Sequence, residues 1–342
     1  MPELSRRTLL TALAGTALLP ACRTLEVREL VTLQHDASQP LRTIAMGSCL
    51  RQNRKQPVWR AIREVRPDLF IHLGDNVYAD TDIASEMRST YAQLWANAGY
   101  QALRREVPVV ATWDDHDYGW NNSGAAYSMK REARQIFCDF FGEPANSPRR
   151  RQPDGIYTSY IYGPVGQRTQ IVLLDGRYER TDFRMLGKRQ WQWLEGELRK
   201  PAEVRLIVSG SRVVAEGIVS EEGWENMPGE RARLFTLIDQ TKVEGVMFLS
   251  GDPHYSDYAM IDEGVPYPLW DITSSALNQS SRKTRVNTRR KVGGYFRPNF
   301  GHMSIDWAGA DTVIRLETRS SKGTVKLSHA IPLKTLRRRS VS

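Results

Sequence analysis

Short apolar runs, each closed by a small or acidic residue, recur along this 342-residue chain. Arg42 to Met46 leads into Gly47-Ser48-Cys49, Leu69 to Leu73 into Gly74-Asp75, and Val107 to Trp113 into Asp114-Asp115. Ile171 to Leu174 ends at Asp175, Leu206 to Val208 at Ser209, Val246 to Leu249 at Ser250-Gly251-Asp252, and Leu269 to Ile272 at Thr273-Ser274-Ser275. Runs with no polar alternation predict strands covered on both faces. Between them, Val58 to Val65, Ser85 to Leu94, Ser128 to Phe141, Lys188 to Leu198 and Arg231 to Thr241 carry helical spacing. Strand, helical crossover and strand in this order predict an α/β fold, a sheet enclosed by helices. After Asn299 the pattern shifts to Ile305-Trp307, Val313 to Leu316 and Val325 to Leu327, which predicts an antiparallel meander. In open α/β sheets ligands gather beyond the carboxyl ends of strands. Those ends here carry cysteine, aspartate and histidine from remote parts of the chain.

Composition narrows the picture. With 40% hydrophobic and 25% charged residues the chain can bury a core, which excludes a disordered or collagen-like class. The formal net charge of +9 favours anionic partners such as phosphorylated substrates or acidic surfaces. Part of it lies in Arg149-Arg150-Arg151, in the stretch from Arg282 to Lys291 and in Arg337-Arg338-Arg339. Such runs read first as solvated basic surface. No nucleic-acid docking motif accompanies the charge, so no specific nucleic-acid partner is expected.

The start of the chain has its own logic. Ser5-Arg6-Arg7 before the weakly apolar Leu9 to Leu19 reads as a twin-arginine (Tat) signal, too short for a permanent membrane span. Leu19-Pro20-Ala21-Cys22 resembles a lipobox, with Cys22 as the acylated residue. The expected organisation is a signal over 1–22, a lead-in over 23–42, one domain over 43–330 and a basic tail over 331–342. The expected location is periplasm or cell envelope, with a lipid anchor at Cys22. Three cysteines make no disulfide framework, and Cys138, inside Ile136-Phe137-Cys138-Asp139-Phe140-Phe141, reads as a core thiol.

Three segments carry the candidate chemistry. Gly74-Asp75-Asn76-Val77-Tyr78 sets a carboxylate at a strand end where it can bridge two cations, with a phenol near enough to join; a turn or helix-cap aspartate is the plainer alternative. Trp113-Asp114-Asp115-His116-Asp117-Tyr118-Gly119, followed by Asn121-Asn122, crowds three aspartates and a histidine into four residues. That density needs a cation or basic partner, unless the segment is a solvated acidic turn. Gly251-Asp252-Pro253-His254 places a carboxylate and an imidazole on one side of the chain.

Together with Gly47-Ser48-Cys49, Leu174-Asp175-Gly176-Arg177 and Asn299-Phe300-Gly301, these segments resemble the PhoD-like (alkaline phosphatase D) branch of the calcineurin-like metallophosphoesterases, in family order from residue 43 to about 301. The resemblance implies a four-layer α/β/β/α sandwich of two mixed sheets flanked by helices. It implies a binuclear or larger centre containing Fe³⁺ and Ca²⁺. Cys49, Asp75 and Tyr78 would hold iron, with Asp75 bridging. Asp115 and Asn121 would belong to the second ion, and Asp252 and His254 would complete the cluster. Asp114, Asp117, Asn122 and Asn299 would either ligate the ions or support the ligands from behind, while Asp175 and Arg177 either organise the site, bind phosphate or form an internal ion pair. His116 would face substrate as general acid or as the donor that stabilises the transferring phosphoryl group; the alternative is a structural histidine satisfied by Asp117. His72 reads as a core histidine.

The implied activity is hydrolysis of a phosphate ester by hydroxide attacking phosphorus in line. The substrate class stays open between small esters, phospholipids and cell-wall polymers, and Arg282 to Lys291, bordering the cleft, would favour a polyanion. The competing function is a non-catalytic, metal-containing, membrane-tethered binding protein of the same fold.

Overall fold

A computed structural model describes residues 33–217, 222–281, 286–309 and 311–339. The twin-arginine stretch, Cys22, the first part of the lead-in and Arg282 to Arg285 lie outside these residues. In chain order the strands are β1 (Thr43–Gly47), β2 (Leu69–Leu73), β3 (Val109–Thr112), β4 (Thr158–Tyr162), β5 (Thr169–Leu173), β6 (Val204–Ser209), β7 (Val246–Ser250), β8 (Ser256–Ile261), β9 (Leu269–Ser274), β10 (Arg290–Tyr295), β11 (Asn299–Asp306), β12 (Val313–Ser320) and β13 (Val325–Pro332). The helices are α1 (Val58–Glu64), α2 (Ala84–Trp95), α3 (Ala98–Glu106), α4 (Asp115–Tyr118), α5 (Lys130–Phe141), α6 (Pro148–Arg151), α7 (Lys188–Leu198) and α8 (Pro228–Gln240).

Two mixed sheets form, ordered β13-β12-β11-β1-β2-β3 and β10-β8-β9-β7-β6-β5-β4. In the first, β1, β2 and β3 run parallel; in the second, β5, β6, β7 and β9 do. Period-two alternation along β2 explains the layering. Leu69, Ile71 and Leu73 belong to the core shared with the second sheet, whereas Phe70 packs with Trp59 of α1 and Leu103 of α3. In α5, Ala133, Ile136, Phe137, Phe140 and Phe141 bury one helical face against the same layer. Trp191, Leu194 and Leu198 of α7 and Leu234 and Ile238 of α8 cover the second sheet. The architecture is the four-layer α/β/β/α sandwich.

Several details depart from the sequence reading. The strand expected from Val107 starts at Val109, since Pro108 has no N–H for a ladder. Strands β4, β8 and β10 were not expected; β4 is only partly buried along most of its length and is written in Thr, Ser and Tyr, so no apolar run marks it. Arg149 is not surface: it is buried, bonded to the Ile156 and Ala111 carbonyls and paired with Glu143 at 3.0 Å. The chain also stays folded beyond 330, with Ile331, Leu333 and Leu336 buried. His72 is fully buried among Trp59, Phe70, Tyr100 and Phe141, and Cys138 is buried as expected.

Candidate metal centre

The carboxyl ends of the parallel strands of both sheets meet at one place. Ser48 N–H donates to the Ser274 carbonyl at 3.0 Å, and Gly251 N–H donates to the Gly210 carbonyl at 3.0 Å. The approach is close enough to require glycine at two of these ends. A Cβ on Gly74, whose φ is +96°, would lie 2.7 Å from the Asp114 Cβ, and one on Gly251 would lie 2.6 Å from the Leu73 carbonyl oxygen. Both Gly-Asp pairs therefore owe their glycine to backbone crowding between strands.

Backbone strain concentrates here. Eight non-glycine residues among those described have positive φ, and six of them, Cys49, Asp75, Asp80, Asn122, Asp252 and His254, line this junction. Each such residue costs about 1–3 kcal/mol, and strain of this kind collects where side chains must be aimed.

The aimed side chains converge. Cys49 Sγ and Tyr78 Oη each lie 3.3 Å from Asp75 Oδ2, and Tyr78 Oη is 2.9 Å from His254 Nε2. Ser275 Oγ accepts the His254 backbone N–H at 2.9 Å and lies 3.0 Å from Cys49 Sγ. Donor atoms of Cys49, Asp75 and His254 lie within 4.8 Å of one another, and so do those of Asp75, Asp115 and His116. Asp75 is common to both groups. Asp252 enters with a backbone carbonyl 3.6 Å from Cys49 Sγ.

Charge balance tests whether cations fit. Burial, then the neighbouring charges of Cys49, Asp115, Asp114 and Asp117, push the Asp75 carboxyl well above its ordinary range. Burial raises Cys49, and burial with Asp75 and Cys49 raises Tyr78. Asp75 Oδ1, Asp252 Oδ2 and Asp114 Oδ2 are buried without a hydrogen-bond partner. Orphaned carboxylate oxygens beside a thiol, a phenol and an imidazole are what bound cations would satisfy. The donor set fits a metal centre.

A third acidic group, Asp114, Asp115 and Glu222, has its own counterion. Fully buried Arg177 places Nε 2.6 Å from Asp114, Nη1 3.3 Å from Glu222 and Nη2 3.7 Å from Asp115. Burial pushes Glu222 up to about 10 and Asp114 up to about 6. Asp117 closes a capping box on α4 and takes the Asn76 N–H at 3.1 Å; burial pushes it up to about 8. Asp175 accepts the backbone N–H groups of Ile156, Arg177 and Tyr178 at 2.8–2.9 Å. Of the three readings left open for these two residues, Arg177 is an internal ion pair and Asp175 organises backbone.

His116 is not held by Asp117. Its Nδ1 lies 2.6 Å from Asp80 Oδ1, and its ring sits against Tyr78 with centroids 4.2 Å apart. Burial opposes charge on this ring, yet the Asp80 hydrogen bond and the Asp115 and Asp80 charges outweigh it and raise its pKa. A ring nitrogen of His116 also lies within 4.8 Å of carboxylate oxygens of Asp75 and Asp115. Asn121 is exposed in the turn after α4, where the Asn122 backbone N–H reaches Asp115 Oδ2 at 2.8 Å. Asn299 takes the Ser256 hydroxyl at 2.6 Å and donates to the Arg297 carbonyl at 2.8 Å, which ties β11 to β8.

Asp80, Ser275 and Glu222 escaped the sequence reading. Asp80 lies two residues past Tyr78 and Ser275 directly closes a predicted strand, so position held a signal for both. Glu222 sits in an irregular loop and offered none.

A sequence model of PhoD-like phosphatases matches residues 44–322, most of the chain. The chain belongs to this family. Alkaline phosphatase D of Bacillus subtilis (strain 168) is 23% identical over 276 residues, 64% of this chain; the match spans 47% of that protein's length, about half. Among solved structures, that of PhoD superposes with a TM-score of 0.71 at 18% identity, covering 90% of this chain and 73% of the other. Purple acid phosphatase PPD1 from yellow lupin (Lupinus luteus) seeds gives 0.64 at 18% identity, covering 86% and 54%. GAP50, the anchor in the inner membrane complex of Plasmodium, gives 0.59 at 14% identity, covering 88% and 90%. At these identities the likeness establishes the family's fold.

Proposed function

We propose that this protein is a metal-dependent phosphoric ester hydrolase. The observation that carries the reading is Asp75, a buried carboxylate with an orphaned oxygen shared between two donor groups at the joint of both sheets. Cys49, Tyr78 and His254 would hold one cation with Asp75; Asp115, with Asp252 and Asn121 in support, would hold the other. Thiolate and phenolate donors suit Fe³⁺, and the oxygen-rich side suits Ca²⁺. When bound, the pair supplies Lewis acidity and an acidified water. His116 protonates the departing ester oxygen through Nε2, while Asp80 fixes the proton on Nδ1 and the ring's angle. Arg177 and Asp117 keep Asp114 and the α4 turn in place behind Asp115.

The test uses protein purified without chelator. Metals per chain are measured, then hydrolysis of an aryl phosphate monoester and an aryl phosphodiester before and after metal removal. Metal-dependent turnover of either supports the reading; equal rates in the stripped protein sink it. Metal-loaded protein that hydrolyses neither ester favours the second reading, a membrane-tethered binding protein, toward which the likeness to GAP50 points.

Export belongs to the same proposal. A folded, iron-loaded protein needs a route that carries folded chains, which agrees with Arg6-Arg7 and with lipid attachment at Cys22. Replacing both arginines by lysine should hold the protein in the cytoplasm on fractionation, and Cys22→Ala should abolish lipid labelling.

A further inference from the structure

The loop between β1 and α1 holds a cation, Arg51, that no carboxylate among the described residues neutralises. Arg51 lies two residues beyond Cys49, with its guanidinium carbon 4.2 Å from the centroid of the Tyr78 ring. No carboxylate among the described residues pairs with it, and its Nε is buried without an acceptor. The position is fixed on both sides. Asn278 accepts the Arg51 N–H at 2.7 Å and donates to its carbonyl at 2.9 Å. Next door, Gln52 takes the Tyr78 N–H at 3.0 Å and donates to the Tyr78 carbonyl at 3.3 Å. A guanidinium on a clamped backbone, laid over the Tyr78 ring and carrying an idle buried donor, is poised for an acceptor from outside the protein.

His116 shows which acceptor. Its ring also lies 4.2 Å from the Tyr78 centroid, and two groups that near cannot share one face. Arg51 and His116 therefore flank Tyr78 from opposite sides, with the phenol oxygen between them at the metal donors. Their separation exceeds the spread of oxygens on one phosphoryl group. A phosphoryl in reach of His116 leaves Arg51 free for a further anion on the same molecule. Arg289 and Arg290 do not compete, because Arg289 pairs with Glu216 and Arg290 with Asp257. The basic stretch expected to border the cleft is thus spent on acids at both of its described arginines.

We infer that Arg51 forms a distal anion subsite, so that the preferred ligand is a phosphate ester carrying a second anionic group, carboxylate or phosphate, a few bonds from the reacting phosphorus. This rests on the hydrolase reading for the position of the first phosphoryl group. A guanidinium fork also satisfies a planar or tetrahedral anion better than an ammonium does.

Glycerol 3-phosphate, 3-phosphoglycerate and 2,3-bisphosphoglycerate form a graded set of probes. Each is titrated against metal-loaded protein, following the rise in melting temperature and competition with aryl phosphate hydrolysis at constant ionic strength and free metal. Wild type should bind the two probes with a second anion about 10–100-fold tighter than glycerol 3-phosphate, the range of a charge-assisted bond. Arg51→Gln should bring that ratio near one, and Arg51→Lys should retain part of it. Tightening with both probes assigns any anion, and with the bisphosphate alone assigns phosphate. A wild-type ratio near one, or a ratio unchanged in Arg51→Gln, overturns the inference. Melting shifts need no turnover, so protein that binds without hydrolysing sinks the hydrolase reading while still answering for Arg51.

Discussion

Two groups of buried side chains lie side by side at the sheet junction, linked through the Asp75-Asp115 pair, yet they solve the same problem differently. Asp114, Asp115 and Glu222 enclose Arg177, a counterion the chain supplies itself. Among the described residues no arginine or lysine pairs with Asp75, which sits beside Cys49, Tyr78 and His254, and its Oδ1 has no hydrogen-bond partner. Buried charge is tolerable only when compensated. The difference therefore separates a group completed from within from one that must be completed from outside. His72, three residues before Asp75 on β2, shows the remaining option. With no counterion it stays neutral, its pKa lowered by burial to about 3.

Removing the shared carboxylate breaks the open group most completely. Asp75→Ala should lose bound metal and hydrolysis together, read by metal analysis and turnover on one preparation; retained metal at wild-type stoichiometry would contradict the bridging role. Arg177→Met attacks the closed group. It should cost about 3–5 kcal/mol of unfolding free energy, the usual penalty for leaving buried charge unpaired. Added Ca²⁺ should restore part of that stability in the variant, since the group then resembles its neighbour. A denaturation curve indifferent to Ca²⁺ would blur the distinction between the two groups.

His116→Ala should keep the metal and lower kcat by roughly 10²–10⁴. Asp80→Asn, acting only through the ring, should lower it by about 10–100-fold with KM little changed. Loss of metal in either variant would make His116 a ligand instead. The smallest effect concerns the neutral solution. The unfolded chain protonates His72 near pH 6.5 and the folded one does not until about 3, so stability present above 6.5 drains away as pH falls. Between pH 6.5 and 5 the loss is about 2 kcal/mol from this residue. His72→Phe should flatten urea midpoints across that interval, and an unchanged slope would show that His72 takes up a proton while folded.

Legibility followed the same division. The donors at strand ends, Cys49, Asp75, Asp115, Asp252 and His254, were readable because an apolar run ending in a polar residue marks both the strand and the place where it stops. The α/β class was legible in those runs, whereas the four layers were legible only through the family resemblance. Counterions were less legible: Arg177 stood among three possible roles, since a sequence records charge without its neighbours. Arg149 passed for surface because burial of an arginine depends on carbonyls from Ala111 and Ile156, which no local pattern announces. Asp80 lay close enough to Tyr78 to be suspected, but its partner His116, 36 residues on, is met only in the fold.

The stitching of Ser48 to Ser274 has a mechanical consequence. Cys49, Asp75 and Asp115 hang from one sheet, while Asp252 and His254 hang from the other, so cations held between them would act as a rivet through two plates. Heat resistance and cofactor retention then become one property of the molecule. Chelation should soften the joint first, opening amide exchange along the ends of β1 and β9 before the outer helices loosen.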